Sequence, residues 1–162
     1  MRGGTNARDM CRKIRLTTLS TFDNLLLNGD NLQLRVQMTN TGRKSWALIV
    51  EDETLISMIA AEALQELGFE TVEVGSAKAA LDELRRNTFD VALVDIGLPD
   101  RQGDELVVEV RALSYDLPII IATGYTGKAI YDRFRHDRRI VILNKPYDSA
   151  QIRTVIDALA VL

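Results

Sequence analysis

Five short apolar runs, each followed by a segment with helical spacing, follow one another from residue 46 to the end of the chain. Runs such as 47–50 and 91–94 show no apolar–polar alternation, so both faces of each predicted strand are covered. Strands separated by helices pair in parallel through right-handed crossovers. The pattern therefore predicts an α/β fold, a doubly wound five-stranded parallel sheet with helices on both faces.

The same pattern gives bounds for each element. The predicted strands span 47–50, 71–74, 91–94, 118–122 and 140–143. The predicted helices span 54–67, 77–86, 104–113, 127–134 and 148–159. Thr54 and Ser76 stand where side chains cap helix N-termini, and Gly68 stands where a helix stops.

Composition limits the class of protein. The chain is 46% hydrophobic and 27% charged, which is typical of a soluble globular protein. Its single cysteine, Cys11, cannot form an internal disulfide. No apolar run is long enough for a membrane span or a secretory signal, so we expect a cytoplasmic protein with no membrane partner.

The first 45 residues differ from the rest. They carry eight Lys/Arg and three Asp, a charge of +5, whereas residues 46–162 carry twelve Lys/Arg and twenty Asp/Glu, a charge of −8, and the two add up to −3. We expect 1–45 to be an N-terminal extension, mobile or weakly structured, and 46–162 to be the domain. Strand-like alternation at 32–38 and a translation start at Met38 stay open. The acidic domain argues against direct nucleic-acid binding.

Polar side chains stand where the predicted strands end. Glu51 and Asp52 follow the first strand and Asp95 follows the third. Thr123 and Lys145 follow the fourth and fifth strands. Because functional groups of doubly wound sheets gather at the carboxyl ends of the strands, these side chains are expected to converge in one crevice.

Three clustered carboxylates resist ionising together, so the crevice needs cations. Lys145 supplies one positive charge, and an all-oxygen donor set favours Mg²⁺ over zinc for the remainder. A carboxylate such as Asp95 can attack a phosphoryl group and form an acyl phosphate. Mg²⁺, Lys145 and the Thr123 hydroxyl would then stabilise the phosphoryl oxygens.

From residue 46 onward the chain resembles the receiver domain of two-component response regulators. The matching stretches are "LIVEDE", "LVDIGLPDRQG", "IIATGY" and "LNKPY". The resemblance implies the flavodoxin-like receiver fold, and it implies that Asp95 accepts a phosphoryl group from a sensor histidine kinase. It also implies that Mg²⁺ binds to Asp52, Asp95 and the Gly97 carbonyl, and to Glu51 through water.

The resemblance assigns phosphoryl binding and switching to Lys145 and Thr123, and a cis turn to Pro146. Ordinary receivers have an aromatic switch residue three positions before the lysine, where this chain has Ile142. We therefore predict that Tyr125, two residues beyond Thr123, is the switch residue.

The stretch at 121–125 is similar to the F-A-T-G-x-Y motif of a receiver subgroup, although Ile121 replaces its first aromatic residue. Members of that subgroup are usually stand-alone receivers whose partners are HWE-type kinases. The resemblance therefore implies a single-domain receiver whose kinase is of that type.

The first predicted helix suggests where a kinase docks. We assign its core face to a set with helical spacing: Ile56, Ile59, Ala60, Ala63, Leu64 and Leu67. Leu55, Met58 and Ala61 then form an apolar stripe on the outer face, beside the crevice. Receivers present this helix to their kinases, so we predict that the stripe is the docking surface. The alternatives are that these are ordinary scattered apolar surface residues, or that the N-terminal extension covers them.

Three functions remain open. The first is a single-domain response regulator, not an enzyme, that signals through a downstream protein of unknown identity or acts as a phosphate sink. The second is a phosphorylation-independent adaptor, or pseudo-receiver. The third is a phosphatase with an aspartyl nucleophile, but such enzymes have a second Asp where this chain has Gly97.

Overall fold

The structure is a computed structural model and describes residues 44–113, 116–124 and 128–160. The strands are β1 (Ser45–Val50), β2 (Phe69–Val74), β3 (Val91–Asp95), β4 (Ile119–Thr123) and β5 (Ile140–Asn144). The helices are α1 (Thr54–Glu66), α2 (Ala77–Arg86), α3 (Gly103–Leu113), α4 (Lys128–Phe134) and α5 (Ser149–Ala160). All ten predicted elements are present, with bounds within two residues of those predicted.

The five strands form one parallel sheet in the order β2-β1-β3-β4-β5. The predicted doubly wound fold is thus confirmed, and the direction of winding reverses between the adjacent strands β1 and β3. The strands β1, β3 and β4 end at the same edge of the sheet, since Val50 pairs with Val94 and Asp95 pairs with Ala122. This edge of the sheet is where such folds bind ligands.

Apolar side chains cover both faces of the sheet, as the unbroken apolar strands predict. Along β1, Leu48 and Val50 point into one buried cluster, which also contains residues of α2 and α3. Ala47 and Ile49 point into the other cluster, which contains residues of α1 and α5. Successive side chains of a strand therefore lie on opposite faces of the sheet, as the two-residue period of a strand requires.

The ends of α1 and α2 test the predicted caps. The Ser76 hydroxyl accepts a hydrogen bond from the Ala79 N–H at 3.2 Å, which confirms that cap. Gly68 ends α1 with φ of 90°, a conformation that glycine adopts without strain. The predicted Thr54 cap is wrong, because Glu53 occupies the N-cap position and makes no side-chain capping bond.

The outer face of α1 differs from the prediction. Leu55 and Met58 are exposed, at 75% and 58%, but Ala61 is only 5% exposed and does not belong to the stripe. Ile59, assigned above to the core, is 47% exposed instead. The helix packs against α5 as well as the sheet, and Ala61 lies in the buried cluster that contains residues of both helices. Ser57 is also buried, and its hydroxyl donates to Glu73 Oε2 at 2.6 Å, so positions 57 and 61 belong to the buried side of α1 and position 59 does not.

Some predictions concern residues outside the described part of the chain. They are the interpretations of residues 1–43, including the start at Met38, and the switch residue Tyr125. Within the described part, no helix has the length and apolar character needed to cross a membrane.

Candidate functional site

The carboxyl edge of the sheet brings four of the predicted side chains together. Asp95 is the last residue of β3, and Glu51 and Asp52 directly follow β1. Lys145 directly follows β5. Glu51 and Asp95 are buried, at 3% and 6% exposure, whereas Asp52 is open to solvent.

The three carboxylates form a compact group. Each of Glu51, Asp52 and Asp95 offers an oxygen atom, and these atoms all lie within 4.8 Å of one another. Glu51 and Asp95 continue the alternation of Ile49 and Leu93, so they lie on the sheet face that packs against α1 and α5. This places two negative charges in a largely enclosed position.

Lys145 pairs with both buried carboxylates. Its Nζ lies 2.6 Å from Glu51 Oε2 and 2.8 Å from Asp95 Oδ1, and its side chain is only 14% exposed. The Lys145 backbone N–H donates to the Thr123 carbonyl at 2.8 Å, and the Lys145–Pro146 peptide bond is cis. Thr123 itself is buried, at 3% exposure. The β4 and β5 ends are therefore tied together beside Asp95.

One ammonium does not balance this group. Burial raises the pKa of Glu51, and the nearby negative charge of Asp95 raises it further. The hydrogen bond from Lys145 lowers it, but the net shift is upward. Burial lowers the pKa of Lys145, but its hydrogen bonds to Asp95 and Glu51 outweigh burial, so the net shift is upward. A lysine shared by two carboxylates is held firmly in its charged form, whereas the buried Glu51 is only partly compensated.

The donor set fits a divalent, oxygen-preferring cation. Three carboxylates and one ammonium leave a formal charge of −2, that is −3 plus 1, with the exposed Asp52 on the open side. Carboxylates without Cys or His ligands favour Mg²⁺ or a similar hard ion over zinc. The site thus has the acidic group that the sequence predicts for Mg²⁺ binding.

The loop after Asp95 depends on two glycines. The Gly97 N–H donates to Asp95 Oδ2 at 3.0 Å, whereas Lys145 contacts the other oxygen, Oδ1. At Gly103, an added Cβ would lie 1.9 Å from the Asp95 carbonyl oxygen. Only glycine lets α3 begin this close to the end of β3, and the Gly103 N–H bonds the Ile96 carbonyl at 2.9 Å.

Tyr147 lies beside this site, although no sequence pattern predicted a role for it. Its ring packs against the apolar cluster on the α1 and α5 face, and its hydroxyl oxygen is buried. Burial, together with the negative charges of Glu51 and Asp95, raises the pKa of this phenol. An aromatic residue with a hydroxyl directly after the Lys-Pro pair was the available sequence signal.

The apolar surface of α1 adjoins this site. Leu55 lies three residues beyond Asp52, and Met58 and Ile59 follow it one turn later on the same side of the helix. The exposed apolar stripe is therefore formed by Leu55, Met58 and Ile59. It begins at the solvent-exposed rim of the acidic group.

Comparison with known proteins gives a consistent result. The sequence model of the family described as "Response regulator receiver domain" matches residues 47–157. The regulatory protein PdtaR of Mycobacterium tuberculosis (strain ATCC 25618 / H37Rv) is 31% identical over 111 residues, which are 68% of this chain and 54% of that protein. The sensor kinase CckA of Brucella abortus (strain 2308) is 28% identical over 120 residues, 73% of this chain but 13% of that protein.

The fold has solved counterparts. A CheY-like response regulator receiver domain from Methanospirillum hungatei JF-1 superimposes with a TM-score of 0.65 and 26% identity. The match covers 71% of this chain and 92% of that one. This chain therefore corresponds to about half of PdtaR, a small part of CckA and nearly all of this solved domain.

Proposed function

We propose a phosphorylation-controlled signalling role for this chain, which belongs to the response regulator receiver domain family. Receiver domains pair with sensor histidine kinases, and we assign the phosphoacceptor role to Asp95. The observation that carries this proposal is the position of Asp95, a buried carboxylate at the end of a central strand, 2.8 Å from the Lys145 ammonium.

The transfer balances as a displacement at phosphorus. An Asp95 carboxylate oxygen forms a bond to the phosphoryl phosphorus while the P–N bond to the kinase histidine breaks. The electron pair of that bond leaves with the imidazole, and Asp95 becomes an acyl phosphate. Lys145 then binds a phosphoryl oxygen, and the Thr123 hydroxyl donates to another.

Mg²⁺ fits the same residues. Asp52, Asp95 and the Gly97 carbonyl would hold it directly and Glu51 would hold it through water. When bound, the ion supplies the positive charge that offsets the phosphoryl oxygens. Lys145, which also contacts Glu51, holds the Asp95 carboxylate in place before the phosphodonor arrives. All three residues lie at or directly after the ends of strands, which fixes their positions.

We propose that the kinase docks on the stripe of Leu55, Met58 and Ile59, since this exposed apolar surface adjoins the acceptor site. A kinase of HWE type is a narrower proposal that rests on Ala122-Thr123-Gly124 alone. The first and last positions of the F-A-T-G-x-Y motif are Ile121 and Thr126 here.

Phosphorylation of Asp95 is proposed to change what this chain does in signalling. We propose that the phosphorylated chain either contacts a downstream protein or drains phosphoryl groups from its kinase. Tyr125 remains our prediction for the residue that responds to Thr123, since Ile142 is a partly buried aliphatic side chain packed in the core. The adaptor alternative predicts no phosphorylation, and the phosphatase alternative predicts turnover of a phosphoester.

One experiment separates these alternatives. The protein is incubated with Mg²⁺ and phosphoramidate, a small phosphodonor, and its intact mass is measured before and after hydroxylamine treatment, which cleaves acyl phosphates. We expect one phosphoryl group that requires Mg²⁺ and that hydroxylamine removes. An unchanged mass would favour the adaptor, and sustained hydrolysis of a phosphoester such as p-nitrophenyl phosphate would favour the phosphatase.

A further inference from the structure

The Tyr147 hydroxyl is a buried polar group that the transfer described above does not use. Its oxygen is enclosed and has no hydrogen-bond partner among the residues that the structure describes. Leaving a buried hydroxyl unpaired lowers the stability of the folded state, and native proteins seldom contain such a group without a reason. We therefore expect this hydroxyl to gain a hydrogen-bond partner in a second state of the site.

Tyr147 lies on the same side of the sheet as the two buried carboxylates. Its ring packs against the cluster that contains Ile49 and Leu93. Glu51 and Asp95 each follow one of those residues by two positions, so they share that face. Burial and both carboxylate charges raise the pKa of the phenol, which keeps it a hydrogen-bond donor at neutral pH.

The partner that Tyr147 lacks becomes available on phosphorylation. In the unphosphorylated protein, Lys145 Nζ is shared between Glu51 Oε2 and Asp95 Oδ1. A phosphoryl group on Asp95 concentrates more negative charge beside Lys145 and draws the ammonium toward it. Glu51, whose side chain is 0% exposed, then loses the ammonium that contacts Oε2, an atom that receives no other hydrogen bond from the described residues. The proposed Mg²⁺ reaches Glu51 only through water, so this carboxylate can still accept a further donor.

We propose that the Tyr147 hydroxyl donates a hydrogen bond to Glu51 Oε2 once Lys145 has turned to the phosphoryl group. The Glu53 N–H already serves the other oxygen, Oε1, at 3.3 Å. Tyr147 is thus a positioning residue, which stabilises the phosphorylated state through Glu51 and does not touch the phosphoryl group. This inference rests on the proposed function.

The test is Tyr147→Phe, which keeps the ring and removes only the hydroxyl. Beryllofluoride, a phosphoryl mimic, is titrated in the presence of Mg²⁺ into the full chain, and Mg²⁺ alone is titrated separately. We expect beryllofluoride affinity to fall about tenfold, the size of one hydrogen bond to a charged group, while Mg²⁺ affinity changes little. Tyr131→Phe is the matched control, because that phenol is 60% exposed on α4 and should behave like the parent.

Stability separates this role from simple packing. Without ligands, Tyr147→Phe should unfold at the same or a higher denaturant concentration than the parent, since it removes an unpaired buried hydroxyl. With Mg²⁺ and beryllofluoride it should unfold at a lower one. A loss of stability in the unliganded protein would overturn the inference, because it would mean that the hydroxyl already has a partner there.

A double-mutant cycle tests the proposed acceptor. In a Glu51→Gln background, the tenfold effect of Tyr147→Phe should shrink, because the charged acceptor is gone. An undiminished effect, or beryllofluoride affinity of Tyr147→Phe equal to that of the parent, would overturn the inference while leaving the proposed function intact. A parent protein that binds no beryllofluoride would overturn both.

Discussion

The Lys145 ammonium nitrogen lies 2.8 Å from Asp95 Oδ1, and both side chains are at least 86% removed from solvent. Residues fifty positions apart in the chain meet here because β3 and β5 flank β4 and end at the same edge of the sheet. A buried ion pair is costly to break by removing one partner. The pair therefore orients the acceptor carboxylate and holds a cation where a phosphoryl group would arrive.

Asp95→Asn should abolish Mg²⁺-dependent labelling by a phosphorylated kinase or phosphoramidate, lowering the rate by about 100-fold or more, because an amide is a far weaker nucleophile than a carboxylate. Asp132→Asn is the control, since Asp132 is an exposed α4 residue paired with Lys128. Labelling is measured over time by intact-mass spectrometry. Labelling of Asp95→Asn at the rate of the control would contradict the assignment.

Asp52→Asn should weaken Mg²⁺ binding about tenfold or more, because it removes one charge of the divalent site. Glu53→Gln alters the neighbouring exposed carboxylate, which does not belong to the acidic group, and should leave the affinity nearly unchanged. The affinities are measured by titration of Mg²⁺ into metal-free protein. Equal losses in both variants would point to a general charge effect instead of a ligand.

Glu51→Gln should raise the free energy of unfolding of metal-free protein at pH 7, because it removes a buried charge while Lys145 keeps its ion pair with Asp95. The folded pKa of Glu51 is raised, so the folded state binds the proton more tightly and loses stability as pH rises from the unfolded value of 4.5 through the folded pKa. Above the folded pKa, the parent has lost all of this stability. The difference in free energy of unfolding between Glu51→Gln and the parent should therefore be largest there and vanish below pH 4.5. Urea unfolding in a chelator at pH 4 and pH 7 measures it; a variant less stable than the parent at pH 7 would contradict the prediction.

Gly103→Ala should destabilise the protein by about 2 to 3 kcal/mol, since the new methyl group would overlap the Asp95 carbonyl oxygen and force the backbone apart. Gly124→Ala is the matched control, because a Cβ there meets nothing within 4 Å. Urea unfolding of both variants gives the comparison. Equal stability of the two variants would show that α3 tolerates a side chain at its first residue.

Leu55→Glu combined with Met58→Glu should slow phosphotransfer from the kinase strongly at low receiver concentration, because two exposed apolar contacts worth about 1.5–3 kcal/mol each at most are lost. Labelling by phosphoramidate should be unaffected, since it needs no docking. Val108→Glu, at a 49% exposed apolar position on α3, is the control. Kinase-driven rates that match those of the control would exclude this surface.

Local sequence patterns were enough to predict the ten elements and the residues at the strand ends. Unbroken apolar runs require sheet faces covered on both sides, and helical segments between them require parallel strands. The charged residues that end those runs, Asp95 and the Glu51-Asp52 pair, could therefore be identified before any distance was known. Local chemistry also sufficed for the Ser76 cap and the stop at Gly68.

The partners of these groups depend on contacts between distant parts of the chain. Strand order is a property of the whole sheet, and it brings Lys145 to two carboxylates at once. The buried side of α1, which includes Ala61 and not Ile59, is the side that packs against α5 and forms the Ser57–Glu73 hydrogen bond. The unpaired hydroxyl of Tyr147 has no sequence counterpart either, because burial and hydrogen bonding arise from residues distant in the chain and become defined only when the sheet and helices pack.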